Sequence, residues 1–248
     1  MKHLISVIFY ILIVTIAITS CAKNNEVEEE QEPITRVINF SGYEWIVRTS
    51  DDVKQGPGPN LFSDSEDNVW VDSSGRLHLK IVQKGGNWYC AGVTLRRTQG
   101  FKKYVIYVSS NVDKLDENVV GGLFTYKNDT EEIDIEFSKW SQTNNQNAQF
   151  AVQPSHIAGN KSRFDMNLDA ELSTHFFDWK ADKIEFGSYK GHTLNPNANN
   201  IISTWIYTGA NIPPENDERL KLNLWLFRGN GPTDKKPAEM IIERIEIL

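Results

Sequence analysis

Apolar and polar residues alternate with a period of two along most of the chain, as they do in strands that are buried on one face. Gly, Asn, Asp and Pro separate these runs, and no long stretch has the period of an amphipathic helix. One helical turn is predicted over residues 113–118. The predicted strands are residues 76–81, 104–108, 123–126, 131–137, 148–153, 183–186, 201–208, 220–227 and 240–248. Many short strands separated by turns indicate an all-β sandwich or jelly roll.

The N-terminus has the layout of a secretory signal. A basic start precedes an apolar run over residues 4–18, which is too short for a membrane-spanning helix. Residues 18–21, Ile-Thr-Ser-Cys, resemble the processing site of bacterial lipoproteins, in which the cysteine becomes the lipidated N-terminus. A plain secretory signal with a chance cysteine is the alternative. We therefore predict a lipoprotein signal peptide over residues 1–20 and lipidation of Cys21.

The chain after Cys21 is predicted to be a tether followed by one domain. Residues 21–33 are polar and acidic, so we expect them to be solvated rather than packed. An acidic stretch after the cysteine is similar to the surface-display signal of Bacteroidetes-type lipoproteins, which predicts an outer-membrane lipoprotein exposed at the cell surface. Residues 34–248 are long enough for one large β domain. Cys90 is the other cysteine, so an internal disulfide is excluded if Cys21 carries lipid.

The charge balance narrows the choice of partners. The chain has 33 acidic and 26 basic side chains and a net charge of −7. Without a basic stripe to neutralise phosphates, nucleic acid is not expected as a partner. We expect a monomer that reaches the membrane only through its N-terminal lipid.

Residues 131–137, Glu-Glu-Ile-Asp-Ile-Glu-Phe, carry the strongest chemical signal. In a strand, Glu132, Asp134 and Glu136 lie on one face and the apolar residues between them lie on the other. Like charges in a row repel and lose hydration energy where they are buried. Glycoside hydrolysis uses such a group, with one carboxylate as nucleophile and one carboxylic acid as proton donor. On this pattern alone, a solvated acidic face is the alternative.

Metal binding is the other chemistry that a carboxylate row can serve. Ca²⁺ takes six to eight oxygen ligands, typically from a tightly curved loop rather than a straight strand. No His or Cys cluster in the sequence suits zinc. We therefore expect no metal at the acidic strand and no required cofactor, and the sequence leaves a structural Ca²⁺ elsewhere open.

Two further strands carry side chains that suit a sugar. In residues 220–226, four leucines alternate with polar residues and Trp225, so the indole is predicted on the polar face, where it can stack on a sugar ring. Asn223 shares that face. A tryptophan covered by a neighbouring loop is the alternative. Gln149 lies on the polar face of its strand, and its amide both donates and accepts hydrogen bonds, as sugar hydroxyls require.

The acidic strand resembles the Glu-x-Asp-x-Glu signature of glycoside hydrolase family 16, in the lichenase form without an extra residue. Asn60 is similar to a cleft-lining asparagine of an early loop. Residues 92–97 lack the acidic residue of the lichenase pattern, so the resemblance does not specify lichenan as the substrate. Other segments resemble the same family in the same order, namely residues 88–91 with Gly100 and Tyr104, 121–126, 174–179 with 184–186, and 223–225.

The resemblance implies a concanavalin-like β-jelly roll sandwich of two curved antiparallel sheets, whose concave face forms a sugar-binding cleft. It also implies a retaining endo-glycosidase acting on a β-linked polysaccharide, most simply a β-glucan. Glu132 would be the nucleophile, Asp134 its helper and Glu136 the general acid/base. The predicted substrate-binding residues are Asn60, Trp140, Gln149, Asn223 and Trp225. The alternatives are a non-catalytic glycan-binding lipoprotein on the same scaffold and an adhesive surface protein without a sugar partner.

Overall fold

Strands account for most of the regular structure in the computed structural model, which describes residues 35–248. The predicted signal peptide, Cys21 and the tether lie outside these residues. The strands are β1 (Val37–Phe40), β2 (Tyr43–Val47), β3 (Leu61–Phe62), β4 (Val69–Val71), β5 (Leu77–Lys84), β6 (Asn87–Leu95), β7 (Lys103–Ser109), β8 (Val119–Asn128), β9 (Glu131–Phe137), β10 (Ala148–Val152), β11 (Lys161–Phe164), β12 (Leu172–Trp179), β13 (Ile184–Lys190), β14 (Ile201–Tyr207), β15 (Arg219–Leu226) and β16 (Ala238–Ile247).

Three 3₁₀ helices of three residues each interrupt the strands of the described chain, namely Val112–Lys114, Ala198–Asn200 and Phe227–Gly229. No helix within residues 35–248 has the length and apolarity needed to cross a membrane. The helical turn predicted over residues 113–118 is present but earlier and shorter. It ends at Lys114, because the next residue, Leu115, has an extended ψ of 143°. Asp116 Oδ1 then accepts a hydrogen bond from the Asn118 backbone N–H at 2.9 Å.

The nine predicted strands are all present, and the structure contains further strands that the alternation did not reveal. β1, β3, β4 and β11 have two to four residues, which is too short for a periodic pattern. β12 is buried at five successive positions, so both of its faces are apolar or closely packed and the period of two is lost.

Two sheets face each other across the core. One has the strand order β11-β10-β9-β8-β15-β6-β2-β1, and the other β4-β5-β16-β7-β12-β13-β14. The β5–β6 hairpin joins them, and all pairings are antiparallel except that of the two-residue β3 with β6. Phe150 in β10 stacks on Phe186 in β13 at a centroid distance of 5.1 Å. This is the jelly-roll sandwich that the sequence predicts.

The first sheet separates an apolar face from a polar one. In β9, Ile133, Ile135 and Phe137 are fully buried against the second sheet. In β15, the four leucines at alternate positions 220–226 are at most 1% exposed and lie in the same core. The alternate residues of both strands therefore project from the opposite face, where the candidate site lies.

Strand register assembles that outer face into rows that cross several strands. One row runs from Asn223 in β15 through Gly122, Glu136 and Gln149 to Arg163 in β11. A parallel row crosses β9 two residues before Glu136. It runs through Lys221, Phe124, Asp134, Ala151 and Lys161. Asn223 and Gly122, which are 101 positions apart in the sequence, thus become direct neighbours on one surface.

Candidate active site

A cleft of 540 Å³ lies on the outer face of the first sheet, over the three carboxylates of β9. We call Glu132, Asp134 and Glu136 the acidic row and this cavity the main cleft. Its other lining residues come from five segments of the chain and are Arg48, Gly56, Pro57, Thr94, Gly122, Phe124, Tyr126, Asp129, Lys221, Asn223 and Trp225. The structure therefore brings the three predicted catalytic residues together with Asn223 and Trp225.

Burial makes the acidic row electrostatically unusual. Glu132 and Glu136 are half-buried, and Asp134 is 3% exposed. Burial, with a contribution from the nearby Glu136 charge, raises the pKa of Glu132 to about 7. A hydrogen bond with Asp134 and the charge of Lys221 oppose that rise in the pKa of Glu132. The row consequently retains protons at a pH where isolated carboxyls have lost them.

Asp134 is the member of the row that holds its proton most firmly. Burial and then the charges of Glu132 and Glu136 raise the pKa of Asp134 well above its ordinary value. The hydrogen bond between Asp134 and Glu132 raises the Asp134 pKa and lowers the Glu132 pKa, as expected when Asp134 is the protonated donor. Gln153 Nε2 donates a hydrogen bond to Asp134 Oδ2 at 2.9 Å. Glu132 is therefore the carboxyl that is supported in its ionised form.

Glu136 is held by a chain of donors that crosses the sheet. Gln149 Nε2 donates to Glu136 Oε2 at 2.5 Å, and Arg163 Nε donates to Gln149 Oε1 at 3.0 Å. Because Arg163 occupies the oxygen of the Gln149 amide, the nitrogen is directed at Glu136. Burial raises the pKa of Glu136, while the Gln149 hydrogen bond and the charges of Arg163 and Lys161 lower it. Gln149 thus contacts the acidic row directly.

A second cavity of 370 Å³ continues from the main cleft beyond Glu136. Glu136 and Trp225 line both cavities, so the two cavities form one groove. We call the second cavity the basic pocket; its other lining residues are Trp140, Ser141, Gln142, Gln149, Ser155, Lys161, Arg163, Phe227 and Arg228. The Arg163 guanidinium lies 4.1 Å from the centroid of the Trp140 ring. Trp140 has a left-handed backbone with φ of 49°, which is rare for a large side chain and is typical of functional loops.

Trp225 and Asn223 project from β15 as its alternation predicts. Trp225 is 9% exposed, contacts the core at its edge and lies 6.5 Å from the Phe227 ring, centroid to centroid. Asn223 is 3% exposed and packs over Gly92, where a Cβ atom would come within 2.6 Å of Asn223 Oδ1. A glycine at position 92 is therefore required for Asn223 to occupy this place.

Asn60 does not line the groove, in contrast to the prediction. It is 3% exposed, and its Nδ2 donates to the carbonyl oxygens of Pro57 at 2.7 Å and Leu226 at 2.8 Å. These bonds fasten the early loop to the end of β15. Gly56 and Pro57 are the residues of that loop that line the groove. Asn60 stabilises the loop without lining the groove itself.

Several groove residues were not singled out from the sequence. An Arg48 guanidinium nitrogen donates to the Gly56 carbonyl at 2.5 Å, and its Cζ lies 3.7 Å from the Phe62 ring centroid. Lys221 Nζ lies 4.1 Å from the Tyr126 ring centroid. The alternation in β15 places Lys221 on the same face as Trp225, so its position was predictable from the sequence. Arg48 follows β2 and reaches the groove only through tertiary pairing.

Other chemistries find no support in residues 35–248. No group of three His, Cys, Asp or Glu side chains there is arranged to hold a metal ion. Cys90 is fully buried, and burial raises the pKa of its thiol to about 12, so it is not a thiolate nucleophile. The carboxylates of the acidic row are the groove carboxylates whose pKa values are raised.

The fold and groove define a jelly-roll sandwich with a buried carboxylate row. No protein-family model and no curated protein sequence matches the chain. Among solved structures, it is similar to Bacillus licheniformis β-glucanase, with TM-score 0.62 and 18% identity over 86% of this chain and 95% of that one. An immunostimulatory antigen and pseudo β-1,3-glucanase of Mycobacterium tuberculosis gives 0.61 and 18%, over 82% and 90%. A prokaryotic β-1,3-1,4-glucanase (lichenase) from a mouse hindgut metagenome gives 0.59 and 16%, over 86% and 98%.

These likenesses establish the fold, which is that of the β-glucanases. The predicted resemblance to glycoside hydrolase family 16 is confirmed at the level of the fold.

The raised pKa of Glu132 predicts a pH-dependent stability. Between its ordinary value of 4.5 and about 7, native Glu132 keeps a proton that the unfolded chain has lost, so the free energy of unfolding falls as pH rises through this window. Relative to wild type, Glu132→Gln should gain up to roughly 3 kcal/mol between pH 4.5 and pH 8. Urea unfolding at both pH values measures the difference.

Glu185→Gln is the matched control. Lys183 and Lys180 lower the pKa of Glu185, so the stability linked to its ionisation is gained mainly below pH 4.5, and Glu185→Gln should parallel wild type between pH 4.5 and pH 8. Equal pH dependence of Glu132→Gln and wild type would show that Glu132 titrates normally.

Proposed function

We propose that the protein is a glycosidase that hydrolyses a β-linked polysaccharide, with a β-glucan as the simplest substrate, by a retaining double displacement. The observation that carries the proposal is the acidic row at the floor of an open groove, with Asp134 supporting ionised Glu132 and with Glu136 held separately by Gln149. A surface that merely binds neutral sugars gains nothing from three buried carboxyls, which destabilise the fold. The shared fold with β-glucanases supports the same assignment.

In the first step, a Glu132 carboxylate oxygen forms a bond to the anomeric carbon as the glycosidic C–O bond breaks. Glu136 gives its proton to the departing oxygen, so the leaving chain departs as an alcohol. Two protons shared among three carboxyls, on Asp134 and Glu136, constitute the reactive state. Closely coupled acids titrate as a set, so this state belongs to the row rather than to one residue.

In the second step, water attacks the same anomeric carbon and the bond to Glu132 breaks. Glu136, now ionised, accepts the proton of that water and returns to its starting state. Asp134 donates its hydrogen bond to Glu132 whenever Glu132 carries charge, which stabilises it as the leaving group. Both steps thus use the same three side chains without a cofactor.

The groove supports an endo mode of action. It extends from the main cleft past Glu136 into the basic pocket, so a chain can lie on both sides of the acid. Tyr126 lies at one side, and Trp140 and Trp225 lie toward the other, where aromatic faces suit sugar rings. This length of groove fits an internal linkage better than a chain end.

A non-catalytic glycan-binding protein is the second candidate. The specific observation in its favour is that the pseudo β-1,3-glucanase of Mycobacterium tuberculosis has this fold. The two candidates differ in whether purified protein releases reducing ends from laminarin, lichenan, agarose, carrageenan or xyloglucan.

We also propose that Cys21 anchors the domain to the outer membrane by lipid, with the glycosidase facing outward. The proposal rests on the sequence of residues 18–33. Fractionation of wild type and Cys21→Ala tests it.

Glu132→Gln should abolish hydrolysis and leave the domain folded. Removing a covalent nucleophile lowers kcat by several orders of magnitude. The measurement is reducing-end release from whichever of the five polysaccharides named above the wild type hydrolyses. Glu131→Gln is the matched control, because Glu131 is adjacent in β9 but faces away from the groove and bonds to Asn128. Substantial turnover by Glu132→Gln would exclude the nucleophile assignment.

The first product should have the same anomeric configuration as the bond that was cleaved. Two inversions at one carbon restore the β-configuration. Proton NMR during the first minutes of digestion identifies the initial anomer before mutarotation. An initial α-anomer would require a single displacement by water and would contradict the two-step mechanism.

Gln149→Leu should move the alkaline limb of the kcat/KM pH profile upward. The Gln149 hydrogen bond lowers the pKa of Glu136, so its loss favours the protonated acid and extends activity to higher pH. A hydrogen bond to a charged group predicts a shift of about one to two pH units. Gln83→Leu, at an exposed position of β5, is the control. An unmoved limb would mean that Gln149 does not act on Glu136.

A further inference from the structure

The charge of the groove walls differs from that of the whole protein. The chain has a net charge of −7, yet the basic pocket presents Lys161, Arg163 and Arg228, and its single acidic lining residue is Glu136. On the other side of the acidic row, Arg48 and Lys221 line the main cleft. Positive side chains therefore lie on both sides of the reacting position.

These cations are not paired with carboxylates. Within residues 35–248, many Lys and Arg side chains form salt bridges, but those five do not. Lys161 and Arg228 are exposed, and the Arg228 Cζ lies 5.1 Å from the Phe227 ring centroid. Arg48 and Arg163 donate hydrogen bonds to neutral oxygens instead. Cations that cluster without a salt bridge repel each other, which is a cost to the fold unless a bound anion offsets it.

Lys221 lies where burial and neighbouring positive charges both disfavour its charged form. Burial lowers the pKa of its ammonium group to about 8, and the charges of Arg48 and Arg219 contribute to the change. Arg48 is half-buried, and burial likewise lowers its pKa. An anion bound in the groove would relieve this repulsion.

We propose that the polysaccharide bound in this groove carries anionic groups, sulfate esters or carboxylates, and that the basic pocket binds one of them beside Glu136. Guanidinium and ammonium groups suit both kinds of oxyanion, and a guanidinium engages two of their oxygens at once. Trp140, Trp225 and Phe227 line the same pocket, and the Arg163 and Arg228 guanidinium groups lie over the Trp140 and Phe227 rings. The inference rests on the proposed function in taking the ligand to be a polysaccharide, and it replaces the neutral β-glucan named there with an anionic chain.

A competing role for these cations is to tune Glu136. Arg163 and Lys161 both lower its pKa, and Arg163 also orients Gln149. Arg163 therefore cannot separate the two roles. Lys161 and Arg228 donate no hydrogen bond to the acidic row among the contacts of the described residues. Because Lys161 still acts on Glu136 through its charge, a measurement of binding rather than of turnover separates the two roles.

The test measures binding in the non-hydrolysing Glu132→Gln background, so that it does not depend on turnover. Affinity electrophoresis uses gels containing carrageenan as a sulfated chain, polygalacturonate as a carboxylated chain, and laminarin or lichenan as neutral chains. Lys161→Gln with Arg228→Gln is compared with a matched pair, Arg97→Gln with Lys102→Gln. Both members of that pair are exposed and lie outside the groove, so the loss of charge is equal.

The proposal predicts that the parent binds at least one anionic chain, and that Kd rises at least tenfold in Lys161→Gln/Arg228→Gln and less than twofold in the control pair. Binding should also weaken as NaCl is raised from 50 to 500 mM. Whether carrageenan or polygalacturonate is bound identifies the anionic group. Binding of neutral chains alone, or equal losses in the two double variants, would overturn the inference.

The outcome is separable from that of the proposed function. Selective binding of an anionic chain with no reducing-end release by wild type from any polysaccharide would support this inference and refute the glycosidase. Hydrolysis of neutral glucans that the double substitution does not affect, without binding of an anionic chain, would support the glycosidase and refute this inference.

Discussion

The site depends on the burial of one face of β9. Ile133, Ile135 and Phe137 fill the core between the sheets, and a shift of register by one residue would place the carboxylates there instead. Burying three large apolar side chains contributes roughly 5–9 kcal/mol. The raised pKa of Glu132 corresponds to roughly 3 kcal/mol against folding when that group is charged. The apolar face therefore holds the acidic row in a position that its own electrostatics disfavour.

Neighbouring strands then reduce the disadvantage of holding three acids together. Gln153 and Gln149 each donate to a different member of the row, and Arg163 fixes the orientation of Gln149. Because these donors are neutral amides, they orient the carboxyls without fully offsetting the burial that keeps protons on them. The result is a set of acids that differ in charge state although they share one strand.

The sequence was most informative where function and periodicity coincide. Glu132 and Trp225 were predictable because alternation with buried neighbours determines the face on which each lies. Arg48 and Arg163 were not, because they reach the groove through strand pairings between distant segments. Asn60 was assigned to the groove by resemblance, but local geometry turns its amide toward Pro57 and Leu226 instead. The pairing of β6 with β15 determines the position of Asn223, and no local pattern reveals the need for Gly92 beneath it.

The last strand, β16, lies between β5 and β7 rather than at an edge of the second sheet. Its partners are made more than 120 residues earlier, so they have no neighbour on that side until residues 238–247 have left the ribosome. The second sheet therefore closes only once β16 is available, and its formation is governed by contacts that are distant in sequence. Until residues 238–247 are in place, the facing edges of β5 and β7 are unpaired and can pair with another chain.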